Sequence, residues 1–117
     1  MNNKEFAKKL ESRTRQFGIS IISLSSLLPN TIEGKVIRNQ ITKSGTSIGA
    51  NYREANRSRS KRDFKNKIKI SESEASETEY WLEIITDLNW VEKNKLETIM
   101  KESKELLALF TSIANKL

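Results

Sequence analysis

Residues 60–89 read SKRDFKNKIKISESEASETEYWLEIITDLN, and the spacing within them decides the fold. Phe64, Ile68, Ser71, Ala75, Thr78, Leu82 and Ile85 recur at alternating steps of four and three residues. Such spacing lines one face of an α-helix. Ser60 opens the segment, and Asp63 stands where a carboxylate favours a helix start. Asn89 and Trp90 mark a short turn at its end.

The same alternation extends to either side. Downstream, Leu96, Ile99, Ser103, Leu106, Phe110, Ile113 and Leu117 predict a fourth helix. Upstream, Ile37, Ile41, Ser44, Ile48, Asn51 and Ala55 predict a second, running to about Arg57. Asn30 is its expected N-cap, with Glu33 as capping-box partner. Phe6, Leu10, Phe17, Ile21, Leu24 and Leu28, with Thr14 filling the gap, predict a first helix from about Asn3 to Leu28. Pro29 is its expected stop. Long helices on short links predict an all-α, antiparallel up-down-up-down four-helix bundle, a single domain over residues 1–117. The strict alternation favours left-handed, near-parallel packing.

Gly45 and Gly49 lie inside the second helix, where each costs roughly 1 kcal/mol relative to alanine. They are read as a close helix contact. A phosphate loop would need Gly-Lys-Ser/Thr, which is missing. Small or polar residues at Ser44, Asn51, Ser71, Ala75 and Thr78 bring helices two and three close together. Asn51, if buried on its seam, must be hydrogen-bonded.

Apolar residues make up 36% of the 117-residue chain and charged residues 31%, a balance suited to amphipathic helices with long solvated faces. No stretch approaches the roughly 18 uninterrupted apolar residues of a membrane span. No leader pattern is seen either, so a cytoplasmic location is expected. The chain has no cysteine and no histidine. Disulfides and thiolate metal sites are thereby excluded, and the commonest general base and transition-metal ligand are missing. A ferritin-like di-iron site, which needs Glu-x-x-His on two helices, cannot be assembled. No metal and no cofactor are expected, and the chain is read as a non-enzyme.

A second stripe runs down helix three: Ile70, Glu74, Glu77, Trp81, Ile84 and Leu88. Ile19 and Ile22 on helix one, and Met100, Leu107 and Leu109 on helix four, add further apolar surplus. Two readings stay open: a contact with another copy, or a wide core face of the ordinary kind. Ile70, Glu74, Glu77, Trp81 and Ile84 are the candidate oligomer interface. Glu74 and Glu77 are read as salt-bridge partners for arginine, from this chain or a neighbouring one, rather than as a proton-transfer pair.

Charge is segregated along the sequence. Residues 51–70 hold eight basic and two acidic groups, whereas residues 71–105 hold ten acidic groups and four lysines. The basic cluster falls at the corner between helices two and three, the footprint expected for phosphate binding. Arg57, Arg59, Lys61, Arg62 and Lys65 are the candidate nucleic-acid-binding residues. Without a groove-reading motif, binding would address shape and backbone, in RNA or DNA. The competing reading pairs these arginines with glutamates of another subunit.

Ser44 to Ala55 (SGTSIGANYREA), Ser60 to Phe64 (SKRDF) and Glu74 to Glu83 (EASETEYWLE) closely resemble the bacterial four-helix-bundle proteins of the 23S rRNA intervening-sequence family. Some members are encoded inside insertions in large-subunit rRNA genes. The resemblance implies a four-helix bundle assembled into a homopentameric ring. It also implies similarity to the accessory proteins of diversity-generating retroelements, basic pentameric barrels associated with nucleic acid and a reverse transcriptase. It supplies no catalytic residue. Its motif positions fall at Ser47, Asn51, Arg53, Glu54, Glu74, Glu77, Tyr80 and Leu82, read as packing and assembly positions.

The leading expectation is an oligomeric module that binds structured RNA or DNA through repeated basic corners. The main alternative is a protein–protein assembly factor that binds no nucleic acid.

Overall fold

A computed structural model describes residues 3–117. Its helices are α1 (Asn3–Ser25), α2 (Ile32–Ala55), α3 (Lys61–Asp87) and α4 (Lys93–Asn115), and no strand occurs among the described residues. The four form a bundle 44 × 26 × 21 Å. α2 packs between α1 and α3, α4 packs on α3, and α1 meets α4 only lightly.

The predicted seams are largely the core. Leu10, Thr14, Phe17, Ile21, Leu24 and Leu28 are buried from the first, and Ile41, Ser44, Ile48 and Ala55 from the second. The third contributes Ile68, Ser71, Ala75, Thr78, Leu82 and Ile85, and the fourth Leu96, Ser103, Leu106 and Phe110. Two seam ends differ: Phe6 and Leu117 are exposed. Tyr52 is buried although it lies off the predicted seam, and its ring meets Phe110 edge-on at 5.5 Å.

Three boundaries are corrected. α1 ends at Ser25, before Leu28 and short of Pro29. The chain there tightens into i→i+3 turns, with Leu27 N donating to Leu24 O and Leu28 N to Ser25 O. Arg38 of α2 donates from Nε to Ser25 O and from Nη2 to Leu28 O, satisfying carbonyls that the end of α1 leaves open. The N-cap of α2 is Thr31 rather than Asn30, its hydroxyl accepting from Gly34 N at 3.0 Å. α2 stops at Ala55, two residues before the expected Arg57. The start of α3 agrees with expectation: Ser60 caps it, accepting from Asp63 N at 3.1 Å. At its other end Asn89 takes φ 54°, with Asn89 N on Thr86 O and Trp90 N on Ile85 O. That pair of bonds is a Schellman closure with asparagine in place of glycine.

α2 is narrow on two sides. Towards α1, a Cβ at Gly45 would stand 2.8–3.0 Å from the Ile21 side chain, and one at Gly49 would meet Thr14 from 3.0 Å. Towards α3, Ser71 Oγ donates to Ile48 O, and Thr78 Oγ1 lies 2.9 Å from Ser44 Oγ. In both interfaces the paired numbers rise on one helix and fall on the other, so α2 runs opposite to α1 and to α3. Asn51 is half-buried and donates from Nδ2 to Ser47 O, a bond within its own helix. Across the light α1–α4 seam, the Arg13 guanidinium makes two bonds of 2.7 Å to Glu102.

Gly45→Ala gains about 1 kcal/mol of helix propensity but forces Ile21 out of its place, a cost of roughly 1–3 kcal/mol. The expected net is a loss of up to about 2 kcal/mol in urea denaturation. Gly18→Ala is the control. Its Cβ would meet nothing nearer than 3.6 Å, so stability should hold or rise by up to about 1 kcal/mol.

Candidate nucleic-acid interface and assembly faces

The corner between α2 and α3 is a five-residue turn, residues 56–60. It is closed by Arg57 N on Glu54 O and Ser58 N on Ala55 O, and α3 starts directly on the Ser60 cap. So tight a turn leaves no room to bury long side chains. Arg57, Arg59, Lys61 and Arg62 are exposed, and Lys65, one turn into α3, is half-buried.

Nearby acids do not neutralise this group. Among the described residues, none of the five cations lies within ion-pair distance of a carboxylate. Lys67 does, at 3.8 Å from Glu54, on the side of the corner facing α2. Two open clefts flank the turn. One, of about 740 Å³, is lined by Arg59, Lys61, Arg62 and Lys65, and Lys116 reaches it from the end of α4. The other, of about 560 Å³, contains Arg57 and Lys67 but also Glu54 and Asp63. The first cleft is the more strongly basic of the two, because no Asp or Glu side chain lines it. Lys116 was missed in the sequence: its charge is plain, but its place beside the corner depends on where α4 ends.

The candidate assembly residues divide. Ile70 is 42% exposed and Glu77 is exposed, whereas Glu74, Trp81 and Ile84 are half-buried. Trp81 packs against the core, donates from Nε1 to Glu77 at 3.3 Å, and stands edge-on to Tyr80. Met100, Leu107 and Leu109 also pack on the core, as a wide core face requires. Ile19 and Ile22 do not, at 47% and 50% exposed. A wide core face thus accounts for Met100, Leu107 and Leu109 but not for Ile19 and Ile22. Among the described residues, neither Glu74 nor Glu77 lies in an ion pair with an arginine.

Burial pushes the Glu74 carboxyl above its ordinary value, Glu77 adds repulsion, and Lys43 on α2 draws it partly back. No group of three or more His, Cys, Asp or Glu that could hold a metal ion occurs among the described residues. No helix among them is long and apolar enough to cross a membrane.

The model of the 23S rRNA-intervening sequence protein family matches residues 4–112. A crystal structure from Bacteroides thetaiotaomicron VPI-5482, described as a protein with unknown function from the S23 ribosomal protein family, is similar at a TM-score of 0.82 and 39% identity. The match covers 89% of this chain and 96% of that one. No curated protein matches.

The raised Glu74 carboxyl sets a sign for pH dependence. Protonation of Glu74 is more favourable in the folded chain than in the unfolded one, so the ionised group costs stability at neutral pH. The cost fades as pH falls through the carboxylate range. Glu74→Gln should therefore raise the melting temperature of the monomeric chain at pH 7. The gap over the parent should close by about pH 4, where both are uncharged. A gap independent of pH would mean that the charge is not its cause.

Proposed function

The chain belongs to the 23S rRNA-intervening sequence protein family, and from that premise we propose that it is a non-enzymatic nucleic-acid-binding module. It takes up the backbone of structured RNA or DNA through the α2–α3 corner. The observation that carries this reading is the set of cations at Arg57, Arg59, Lys61, Arg62 and Lys65. They gather at one end of the bundle and lie beyond ion-pair distance of any carboxylate among the described residues. Cations kept in water without acidic partners are available to phosphates, and each contact releases counterions from the nucleic acid.

The protomer is read as an up-down-up-down bundle that assembles into a homopentameric ring in the cytoplasm. Repetition of the corner around such a ring multiplies weak contacts through avidity. A reverse transcriptase is a further candidate partner, by similarity to the retroelement accessory proteins. The assembly-factor reading, with no nucleic acid bound, draws on the exposed Ile19, Ile22 and Ile70.

Replacing Arg59, Lys61 and Arg62 together with glutamine decides between the readings. Labelled RNA and duplex DNA are titrated at several salt concentrations, with equal mass confirmed first. The plot of log affinity against log salt should flatten by roughly 0.9 for each duplex phosphate that is no longer neutralised. Binding should weaken for all sequences alike. No binding by the parent at low salt, or equal binding by the intact triple variant, would favour the assembly factor.

A further inference from the structure

A half-buried ridge on α3 and the groove between α1 and α2 are complementary in both charge and spacing. The groove, about 510 Å³, is lined by Arg15, Ile19, Ile22, Ala50 and Arg53 among others, and by one acid, Glu11, which accepts from Asn56, so its net charge is positive. Its floor is small: α1 and α2 approach so closely that a Cβ on Gly18 would stand 3.6 Å from Thr46. The ridge on α3 is Glu74, Glu77, Trp81 and Ile84.

Arg15, Ile19 and Ile22 are spaced four and three residues apart, and so are Glu77, Trp81 and Ile84. Each set reads charge, apolar, apolar, with opposite signs of charge. Each also runs the same way. Gly49 faces Thr14, and its neighbour Ile48 accepts from Ser71, so residues 14, 49 and 71 stand at one level. From there α1 and α3 both lead away from the basic corner. Level with Arg15 on α3 is about residue 72, five residues short of Glu77. At 1.5 Å per residue, a slide of roughly 7.5 Å along the axis brings the two sets into register.

The geometry points to a head-to-tail contact between two copies of this chain, in which the α3 ridge of one lies in the α1–α2 groove of the next. Glu77 then meets Arg15, Glu74 lies beside Arg53, and Trp81 and Ile84 cover Ile19 and Ile22. The inference rests on the self-association read above and names the faces that make it. Ridge against ridge would set glutamates against glutamates with the helices parallel and would lay them on Trp81 and Ile84 with the helices antiparallel, and groove against groove fails in the same two ways with the arginines, so a two-fold contact through either face is disfavoured. Reversing one copy would lay Trp81 and Ile84 on the arginines. The copies therefore point the same way, as subunits of a closed ring do. Glu74 fits this arrangement: its carboxylate is costly in the free chain, where Lys43 offsets the cost only in part, and Arg53 of the next copy adds a second cation.

The test uses two full-length variants, each keeping one face. Ala50→Trp fills the groove from an exposed position and leaves the ridge intact. Glu74→Arg with Glu77→Arg reverses the ridge and leaves the groove intact. Circular dichroism verifies the helices, and Arg15→Glu replaces Ala50→Trp if that variant misfolds. Sedimentation velocity at tens of micromolar should find the parent assembled beyond a dimer and each variant alone as a folded monomer. The equimolar mixture should give a complex of two chains, because one good ridge then finds one good groove. A monomeric parent would overturn the self-association itself. An assembled parent, with variants that stay assembled or a mixture that stays monomeric, would overturn the assignment of faces while leaving self-association in place.

Discussion

Ile21 fills the space that any residue other than glycine would need at position 45, and the bundle is organised around that contact. Glycine inside a helix is a local loss of roughly 1 kcal/mol. Here it brings the α1 and α2 backbones close enough for Ile21, Thr14 and Gly18 to pack directly on α2. On its other side α2 offers Ser44 and the Ile48 carbonyl to Thr78 and Ser71. Buried hydroxyls are costly when unpaired, and here they are paired across the interface, so they fix its register as well as its distance. A central helix with short side chains on two faces lets both neighbours sit close. The larger residues, Phe17, Leu82, Leu106 and Phe110, then fill the remaining space.

The seams were legible because burial in a helical bundle follows the helical period with little interference. Residues 60–89 illustrate this best: every seam residue from Ile68 to Ile85 is buried, and both the Ser60 cap and the Asn89 turn lie where expected. Tyr52 was not legible, because α2 is covered on two sides and a single stripe describes only one. The cap at Thr31 was obscured by Asn30, a comparable capping residue directly before it. What distinguishes them is Gly34: a Cβ there would run into the Pro29 carbonyl, and the bare amide turns to the Thr31 hydroxyl instead. Arg38 and Arg13 read only as surface charge. Their work on the α1 carbonyls and on Glu102 depends on neighbours distant in sequence.

The candidate site was legible as a charge count but not as a surface. Sequence located the basic corner and its five residues. It could not separate Lys67, which reaches Glu54, from cations beyond the reach of any acid, nor bring Lys116 to the same cleft. The apolar surplus was harder still. Trp81 and Leu107 are half-absorbed by their own core, whereas Ile19 is not, and only the angles between neighbouring helices decide which.

The light seam between α1 and α4 has a dynamic consequence. Its most specific tie is the Arg13–Glu102 pair, on the rim of the bundle and open to water. α2 and α3, by contrast, are locked by hydroxyls in the interior. Local opening follows the weakest boundary, so the outer helices are the first to part and the middle hairpin the last. In amide hydrogen exchange that order is a gradient of protection, falling from the hydroxyl-paired turns of α2 and α3 to the outward faces of the first and last helices.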